Sequence, residues 1–350
     1  MMMTAFLRFA GKTDGYNAGK ERSTYAARAA KESGPVSVHP AVVNNRRLSG
    51  RNRFYNNRYL YLMILPAVLY TLLFSYVPMG GLVIAFKKYN YVQGIFGSPW
   101  VGLKNFKFLF NSHKLWFLTR NTLLYNLAFI VLGIVIQVTF AIMINEIRAK
   151  WFKRVFQSFI FLPYFISWVV VAAMVQAIFG YEYGMLNRVL EWMGLERINL
   201  YISADPWPVM LVMLHLWKGT GYGSIVYMAS IAGISPELYE AASIDGAGFW
   251  KRIRHITLPG LRPTMMIMFL LALGAVFRGD FGLFYQMVGN NALLLPKTDI
   301  LDLYVYRALA STSDMGMASA AGFYQSVLCF VTIMTVNGII RKANPDYALF

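Results

Sequence analysis

The chain has 350 residues, of which 57% are hydrophobic and 14% are charged. Several apolar runs reach the roughly 20 residues that cross a bilayer core, which favours an integral membrane protein over a soluble one. The net charge of +17 lies mostly in the N-terminal tail and in short loops, so it indicates the positive-inside rule rather than nucleic-acid binding. The single cysteine, Cys329, excludes a disulfide within the chain.

Residues 1–58 are rich in Arg, Lys, Ser, Gly and Asn, and we predict that they form a flexible basic tail in the cytoplasm. Gly11-Lys12-Thr13 looks like the end of a phosphate-binding loop. Phe6 stands where that motif requires a glycine, and no strand–helix unit surrounds the segment. No nucleotide site is therefore assigned to the tail.

Six membrane-spanning helices are predicted to follow, in one all-α domain over residues 59–342, with a short cytoplasmic tail over 343–350. Pro66 and Pro163 fall inside two of the spans, where neighbouring helices can satisfy the freed backbone groups. The spans are placed at 59–77 with an extension toward 86, and at 122–144, 156–179, 208–234, 264–284 and 318–340.

The distribution of basic residues predicts the orientation of the spans. Basic clusters precede the first span, fill the loops after the second and fourth spans, and follow the last, as cytoplasmic loops do. The opposite loops carry most of the remaining acidic residues. They also hold basic residues that go against the rule, namely Lys87, Lys88, Lys104, Lys107 and Lys114. Both termini are predicted to lie in the cytoplasm.

A polar, basic island over residues 235–263 separates the fourth and fifth predicted spans. Pro236 suits the first turn of a helix, which Ser235 can cap, and Gly246 and Gly248 suit its end and the turn that follows. A second short helix over 249–257 is predicted to end where Pro259 breaks it. The order of the island is Glu240-Ala241-Ala242, then Asp245-Gly246-Ala247-Gly248, then a basic-aromatic segment, then Leu258-Pro259.

This order and spacing resemble the cytoplasmic EAA loop of binding-protein-dependent ABC importers, which docks on the ATP-hydrolysing subunit. The resemblance implies the fold of a type I importer permease with six transmembrane helices and a cytoplasmic coupling helix. It also implies an ATPase-coupling role for the residues of the motif, which are Glu240, Ala241, Ala242, Asp245, Gly246, Gly248, Leu258 and Pro259.

Three more segments are similar to the sugar-type permeases that import oligosaccharides and polysaccharide fragments, among them the lipo-oligosaccharide, aldouronate and alginate importers. They are Tyr76-Val77-Pro78-Met79, Ser98-Pro99-Trp100-Val101-Gly102-Leu103 and Tyr164-Phe165-Ile166-Ser167-Trp168-Val169. The resemblance implies a multi-pass protein of the bacterial inner membrane. It implies no cofactor in this chain, because ATP is used by a partner. The implied partners are a second permease subunit in a heterodimer, two ABC ATPase subunits and an extracytoplasmic sugar-binding protein.

Polar groups inside spans are costly in lipid and must face protein or water, so they are candidates for the substrate path. The sugar-type permeases line this path with their fourth and fifth helices. The resemblance implies that His215, Gly219 and Tyr222 face the path. Aromatic rings there would stack on the C–H faces of pyranose rings. Further candidates are Trp217, Lys218, Arg278 and Asp280.

Each candidate has a structural alternative. Arg278 can pair with Asp280, Lys218 can bond helix carbonyls, and the glycines within 219–223 can permit close helix packing. Positive charge at Lys218, Arg278 and Arg120 makes an acidic oligosaccharide conceivable as substrate.

The predicted function is a transport permease subunit and not an enzyme. The four histidines are scattered without metal-ligand spacing, and no paired nucleophile and base is evident. The alternative is a secondary transporter or channel for small polar solutes. Such proteins usually carry intramembrane carboxylates or inverted repeats, and neither is evident in this sequence.

Overall fold

The computed structural model describes residues 57–111 and 114–343, and these are almost entirely helical. Of the predicted tails, residues 1–56 and 344–350 lie outside the described residues. The α-helices are α1 Arg58–Thr71, α2 Gly94–Gly97, α3 Lys104–Asn111, α4 Lys114–Glu146, α5 Lys150–Phe165, α6 Trp168–Phe179, α7 Met185–Trp192, α8 Trp207–Ala232, α9 Pro236–Ile244, α10 Phe249–Arg252, α11 Leu258–Leu273, α12 Phe281–Met287, α13 Leu295–Thr298, α14 Leu301–Thr312 and α15 Met315–Ala343.

The described residues up to Tyr76 form one compact unit, and those from Val77 onward form another. In the first unit, α1 runs into a π-helical turn, Leu72–Tyr76. None of the residues in α1 is buried and its surface is apolar, as expected of a helix in lipid. The second unit begins with a 3-10 segment, Val77–Phe86.

Several helices of the described chain are long and apolar enough to cross a membrane. They are the helical stretches Arg58–Phe86, Lys114–Glu146, Phe249–Leu273 and Met315–Lys342, with a fifth span if the bent pair of α5 and α6 counts as one. Helix α8 has 26 residues, about 39 Å at 1.5 Å per residue, but it does not meet the same test of apolarity. The predicted count of six spans is therefore not confirmed.

The predicted third span is not one straight helix. Helices α5 and α6 are bent by 98° at a break between Phe165 and Trp168. Pro163 near the end of α5 has no N–H to donate, and the Ser167 side chain accepts the N–H of Val170 at 3.4 Å, which starts a new helix. A local cap therefore competes with continuation of the helix, which a count of apolar residues does not reveal.

The predicted fifth span over 264–284 is also wrong at its end, because α11 stops at Leu273 and α12 begins only at Phe281. The intervening backbone is held by one side chain from α14 and by a local cap at the start of α12. The N–H of Gly279 donates to Asp302 Oδ2 at 2.7 Å, and Asp280 Oδ1 accepts the N–H of Leu283 at 3.1 Å. The second span likewise begins at Lys114, earlier than the predicted 122.

Pro259 does not break a helix, contrary to the prediction. Helix α10 continues through a π-helical turn, Ile253–Thr257, into α11, so that Phe249–Leu273 is one helical stretch. The wider π turn lies just before the proline, where an α-helix would need a donor N–H and would meet the proline ring. The loop is thus joined to a membrane helix without an interruption.

One of the lysines that conflict with the predicted orientation makes its contacts inside the protein. Lys87 is buried, and its Nζ donates to the carbonyls of Ile95 at 2.8 Å and Phe96 at 3.0 Å. The ammonium also lies 5.1 Å from the centre of the Trp100 ring. Because the ammonium of Lys87 is bonded inside the protein, its charge is not a free loop charge of the kind that the positive-inside rule counts.

Helix α8 packs against α4, α5 and α11. Its glycines differ in what surrounds them. A Cβ at Gly221 would lie 2.7 Å from Phe161 Cα in α5, and one at Gly223 would collide with the side chain of Gln137 in α4. A Cβ at Gly219 would meet no atom within 4 Å. Gly221 and Gly223 therefore serve close packing, and Gly219 faces open space.

Replacing Gly221 by alanine is expected to destabilise the protein, because the added methyl group would press on the backbone of α5. Overpacking of this kind costs on the order of 1–3 kcal/mol. Gly219→Ala is the matched control, since it brings the same gain in helix propensity without a clash. The midpoint of thermal unfolding in detergent should fall by several degrees for Gly221→Ala only. Equal midpoints for the two variants would contradict the packing.

Candidate functional site

The candidate coupling helix is α9, and a complete Schellman motif ends it. The N–H of Gly246 bonds to Ser243 O at 3.2 Å, and the N–H of Ala247 bonds to Ala242 O at 2.8 Å. Gly246 has φ +71°, the left-handed conformation that this motif requires. Pro236 occupies the first turn as predicted, but the Ser235 side chain makes no capping bond. The sharp turn therefore rests on Gly246.

The tip of this loop is exposed. Glu240, Ala241, Asp245, Gly246 and Gly248 are exposed, and Ala242, Leu258 and Pro259 are half-buried. Large apolar side chains are also exposed. The exposed fraction is 88% for Ile244, 77% for Trp250 and 53% for Leu238. The Glu240 carboxylate makes no hydrogen bond or ion pair with any residue that the structure describes. An exposed surface that mixes apolar groups with an unpaired carboxylate is suited to a protein partner.

The base of the loop is tied to both helices that leave it. The Tyr239 hydroxyl bonds to the buried Thr257 at 3.0 Å, which joins α9 to the start of α11. Ser230 of α8 bonds to Thr264 of α11 at 2.8 Å. Gly260 leaves room for Ile234, whose Cδ1 would lie 2.6 Å from a Cβ there. Movement of the tip would therefore be passed to α8 and α11 together.

His215, one of the substrate-path candidates, contacts two other elements from α8. Its ring stacks on Phe129 of α4, with centroids 3.9 Å apart and planes 12° apart. Its Nδ1 lies 3.3 Å from Asp280 Oδ2 but makes no hydrogen bond within the described protein. Asp280 therefore lies against His215, and the ion pair with Arg278 that was its structural alternative is not formed among the described residues.

Lys218 makes the carbonyl contacts that were its structural alternative. Its Nζ donates to Pro163 O at 3.3 Å, to Tyr164 O at 2.8 Å and to Ile166 O. These three carbonyls lie at the break between α5 and α6. The ammonium is thereby engaged with the backbone at the C-terminal end of a helix, where a cation is favoured.

Tyr222 belongs to a stack of aromatic rings on one side of α8. Its ring lies 4.6 Å from that of Tyr164 at an interplanar angle of 11°, and 6.4 Å from that of Phe161 at 17°. Tyr222 remains 49% exposed and Tyr164 remains 42% exposed. Trp217 is also exposed on this helix. Flat, accessible rings of this kind can stack on the apolar faces of sugar rings.

A cavity of about 280 Å³ lies between α4, α8 and the end of α11. His215 and Arg278 line it, whereas Trp217, Lys218, Gly219, Tyr222 and Asp280 do not. The structure therefore separates His215 and Arg278, which line the cavity, from Tyr222 and Lys218, which lie with the aromatic rings, and Asp280 contacts His215.

The cavity is lined by polar side chains that the sequence reasoning missed, namely Asn126, Gln137 and Tyr227. Tyr227 is fully buried, and its hydroxyl makes no hydrogen bond within the described protein. Asn126 and Gln137 are eleven residues apart, which places them on one face of α4, so polar residues inside an apolar run were an available signal. No comparable signal marks Tyr227, because tyrosine is common in helix packing.

Asp302 supports the border of the cavity from α14. Besides the N–H of Gly279, Asp302 Oδ2 accepts Gln325 Nε2 at 3.1 Å. Burial raises the pKa of the Asp302 carboxyl, while these hydrogen bonds and the charge of Arg278 act in the opposite direction. Side chains of α14 and α15 therefore help to fix the irregular backbone before α12, in addition to the local cap that Asp280 provides.

Comparison with known proteins agrees with this arrangement. Residues 137–344 match the family described as the binding-protein-dependent transport system inner membrane component. The polygalacturonan/rhamnogalacturonan transport system permease protein YteP of Bacillus subtilis (strain 168) is 33% identical over 294 residues, which are 84% of this chain and 91% of that protein. Protein LplB of the same organism is 34% identical over 307 residues, 88% of this chain and 96% of LplB.

A solved structure has a similar fold. It is that of a bacterial alginate ABC transporter in complex with an alginate pentasaccharide-bound periplasmic protein. One of its chains is 30% identical and superposes with a TM-score of 0.74, covering 83% of this chain and 97% of that one. The fold, the loop that carries the motif and the match over more than half of the sequence agree, and the chain belongs to the family of inner membrane components of binding-protein-dependent transport systems.

Proposed function

We propose that this chain is one permease subunit of an ATP-driven importer of oligosaccharides. The observation that carries the proposal is the coupling loop, in which an exposed helix is closed by Gly246 and joined to two long helices. The relatives support the substrate class, since YteP is named for polygalacturonan and rhamnogalacturonan transport and the solved transporter imports alginate. This chain would line the substrate path, and separate ATPase subunits would supply the energy for transport.

The partners follow from this division of labour. Two ABC ATPase subunits would hydrolyse ATP, so this chain needs no cofactor of its own. A second, similar permease would complete the path as a heterodimer. An extracytoplasmic sugar-binding protein would deliver the substrate, as the periplasmic protein of the alginate transporter carries its pentasaccharide. Both termini and the coupling loop would then face the cytoplasm, because basic residues cluster there.

Coupling would work through α9 as a rigid insert in a groove of the ATPase. Ile244 and Leu238 would bury apolar surface on docking, and Glu240 would gain a charge-assisted hydrogen bond across the interface. Tyr239–Thr257 and Ser230–Thr264 bonds would pass a movement of α9 to α8 and α11. Closure of the ATPases would thereby rearrange the helices that carry the path candidates.

The substrate would pass along α8, where open space meets aromatic and polar groups. Gly219 leaves that side of the helix uncovered, and Tyr222 offers an accessible ring. His215 lies where this side reaches the polar cavity. Stacking combined with a few hydrogen bonds gives weak binding, which suits a protein that must release its substrate.

The orientation can be tested by cysteine labelling in a Cys329→Ser background. Cysteines introduced at Arg154 and Arg252 should resist a membrane-impermeant maleimide in intact spheroplasts. A cysteine at the exposed Glu191 should be reached from outside, and Asp299, which the same orientation places outside, is buried and is therefore not used as a labelling site. Labelling of Arg252→Cys from outside the cell would contradict the predicted orientation.

Substrate contact can be tested by His215→Ala and Tyr222→Ala. Each should slow oligosaccharide uptake about tenfold through the loss of a stacking or polar contact worth about 1 kcal/mol or more, while the complex still assembles and hydrolyses ATP. Val209→Ala is a matched control at an exposed apolar position of the same helix. The path assignment fails if both variants transport at the wild-type rate.

Coupling can be tested by the double variant Glu240→Lys, Gly246→Leu. Leucine at φ +71° is strained by on the order of 1 kcal/mol or more, and the reversed charge opposes the proposed contact. Retention of the ATPase on the purified permease and substrate-stimulated hydrolysis should both fall. Gly246→Asn is the matched control, because asparagine tolerates the left-handed region. Full retention and stimulation in the double variant would rule out this loop as the coupling site.

A further inference from the structure

The break between α5 and α6 leaves backbone carbonyls without helical partners. Helix α5 ends at Phe165, and the N–H of Ile166 returns only to Pro163 O, at 3.2 Å. Inside a membrane protein each unsatisfied backbone group costs several kcal/mol, so a break of 98° needs donors from elsewhere. The break is therefore stable only if a side chain from another element donates hydrogen bonds to its carbonyls.

Lys218 is that side chain. Its ammonium has three N–H groups, and three carbonyls at the break accept from it, those of Pro163, Tyr164 and Ile166. The same ammonium lies 5.8 Å from the Tyr164 ring centre and 5.3 Å from that of Trp168, on either side of the break. Its donors are thus fully used by the protein.

These bonds fix the position of an aromatic surface. Tyr164 is held through its own carbonyl, and its ring lies against Tyr222, which is one helical turn after Lys218 on α8. Phe161, one turn earlier on α5, continues the stack at 5.7 Å and 10° from Tyr164. We call Phe161, Tyr164 and Tyr222 the aromatic platform. Its rings come from two helices, and Lys218 is the polar link between them at this level.

We infer that Lys218 is a positioning residue that holds the aromatic platform as a stacking subsite for one pyranose ring of the substrate. Lys218 does not touch the sugar. Its ammonium donates to the carbonyls at the break, and its bond to the Tyr164 carbonyl ties the end of α5 to α8 where Tyr164 meets Tyr222. The inference rests on the proposed function for the identity of the ligand, but the link between Lys218 and the platform stands on geometry alone.

The rival role for Lys218 is direct contact with an acidic sugar. A lysine that binds a carboxylate needs a free N–H directed at the path, whereas the three donors of Lys218 point to backbone carbonyls. The two roles differ in outcome. A contact residue affects acidic substrates selectively, and a positioning residue affects acidic and neutral sugars alike.

The first test measures the platform without any substrate. Tyr164→Cys and Tyr222→Cys are combined in a Cys329→Ser background, and the purified complex is treated with a short bis-methanethiosulfonate reagent. Cross-linking should be efficient with Lys218 present, fall several-fold with Lys218→Met, and be largely restored by Lys218→Arg, which keeps the positive charge and has N–H donors for the carbonyls. Lys297→Met, which removes a lysine from an exposed ion pair, should leave cross-linking unchanged. Undiminished cross-linking in Lys218→Met overturns the inference.

The second test measures uptake by the full transporter in proteoliposomes, with trigalacturonate as the acidic probe and maltotriose as the neutral one. Lys218→Met and Tyr164→Ala should each raise the KM by about three- to tenfold with little change in maximal rate, and their combination should be no worse than either alone. Lys218→Arg should restore the KM.

A loss confined to trigalacturonate would make Lys218 a contact residue and overturn the inference. If the wild type moves neither probe, the proposed substrate class fails, while cross-linking still decides the role of Lys218.

Discussion

Backbone hydrogen bonding inside a membrane is the constraint on which the rest of this structure depends. Two interruptions of helices occur beside α8, one between α5 and α6 and one between α11 and α12. Each exposes peptide groups that lipid cannot satisfy. Lys218 supplies donors to the first, and Asp302 accepts from the second. Lys218 and Asp302, polar residues in an apolar sequence, are thus explained first by the hydrogen-bond partners that they give to interrupted backbone.

The same interruptions shape the surfaces proposed for transport. Packing of the end of α5 on α8 places Tyr164 against Tyr222, and the irregular segment after α11 places Asp280 against His215. Rings and polar groups from distant parts of the chain therefore meet along α8, whose Gly219 leaves that side open. The coupling loop begins where α8 ends, so the helix that carries the path candidates is also the one that a docked ATPase would move.

The coupling loop shows how far a local pattern can predict structure. A left-handed glycine that ends a short helix is a matter of a few neighbouring residues, and the Schellman bonds of Gly246 and Ala247 confirm the predicted end of the helix. Ser235 and Pro259 were interpreted by the same local rules, and both predictions were wrong. A π turn just before Pro259 lets the helix continue past the proline. Continuity with a packed membrane helix outweighs the local preference of proline for a helix break.

The sequence by itself determined the helical membrane class, the family and the position of the short helix that Gly246 ends, because apolar run length, charge and residue spacing are properties of the chain alone. Only the tertiary structure decided what the polar residues of the spans do. Lys218 bonds carbonyls that lie more than fifty residues away, and His215 faces Asp280 in place of Arg278. Tyr227, Asn126 and Gln137 meet in a cavity that no single helix defines. A side chain's role in a membrane protein depends on which unsatisfied group the fold brings within its reach, and periodicity along one helix carries no information about that.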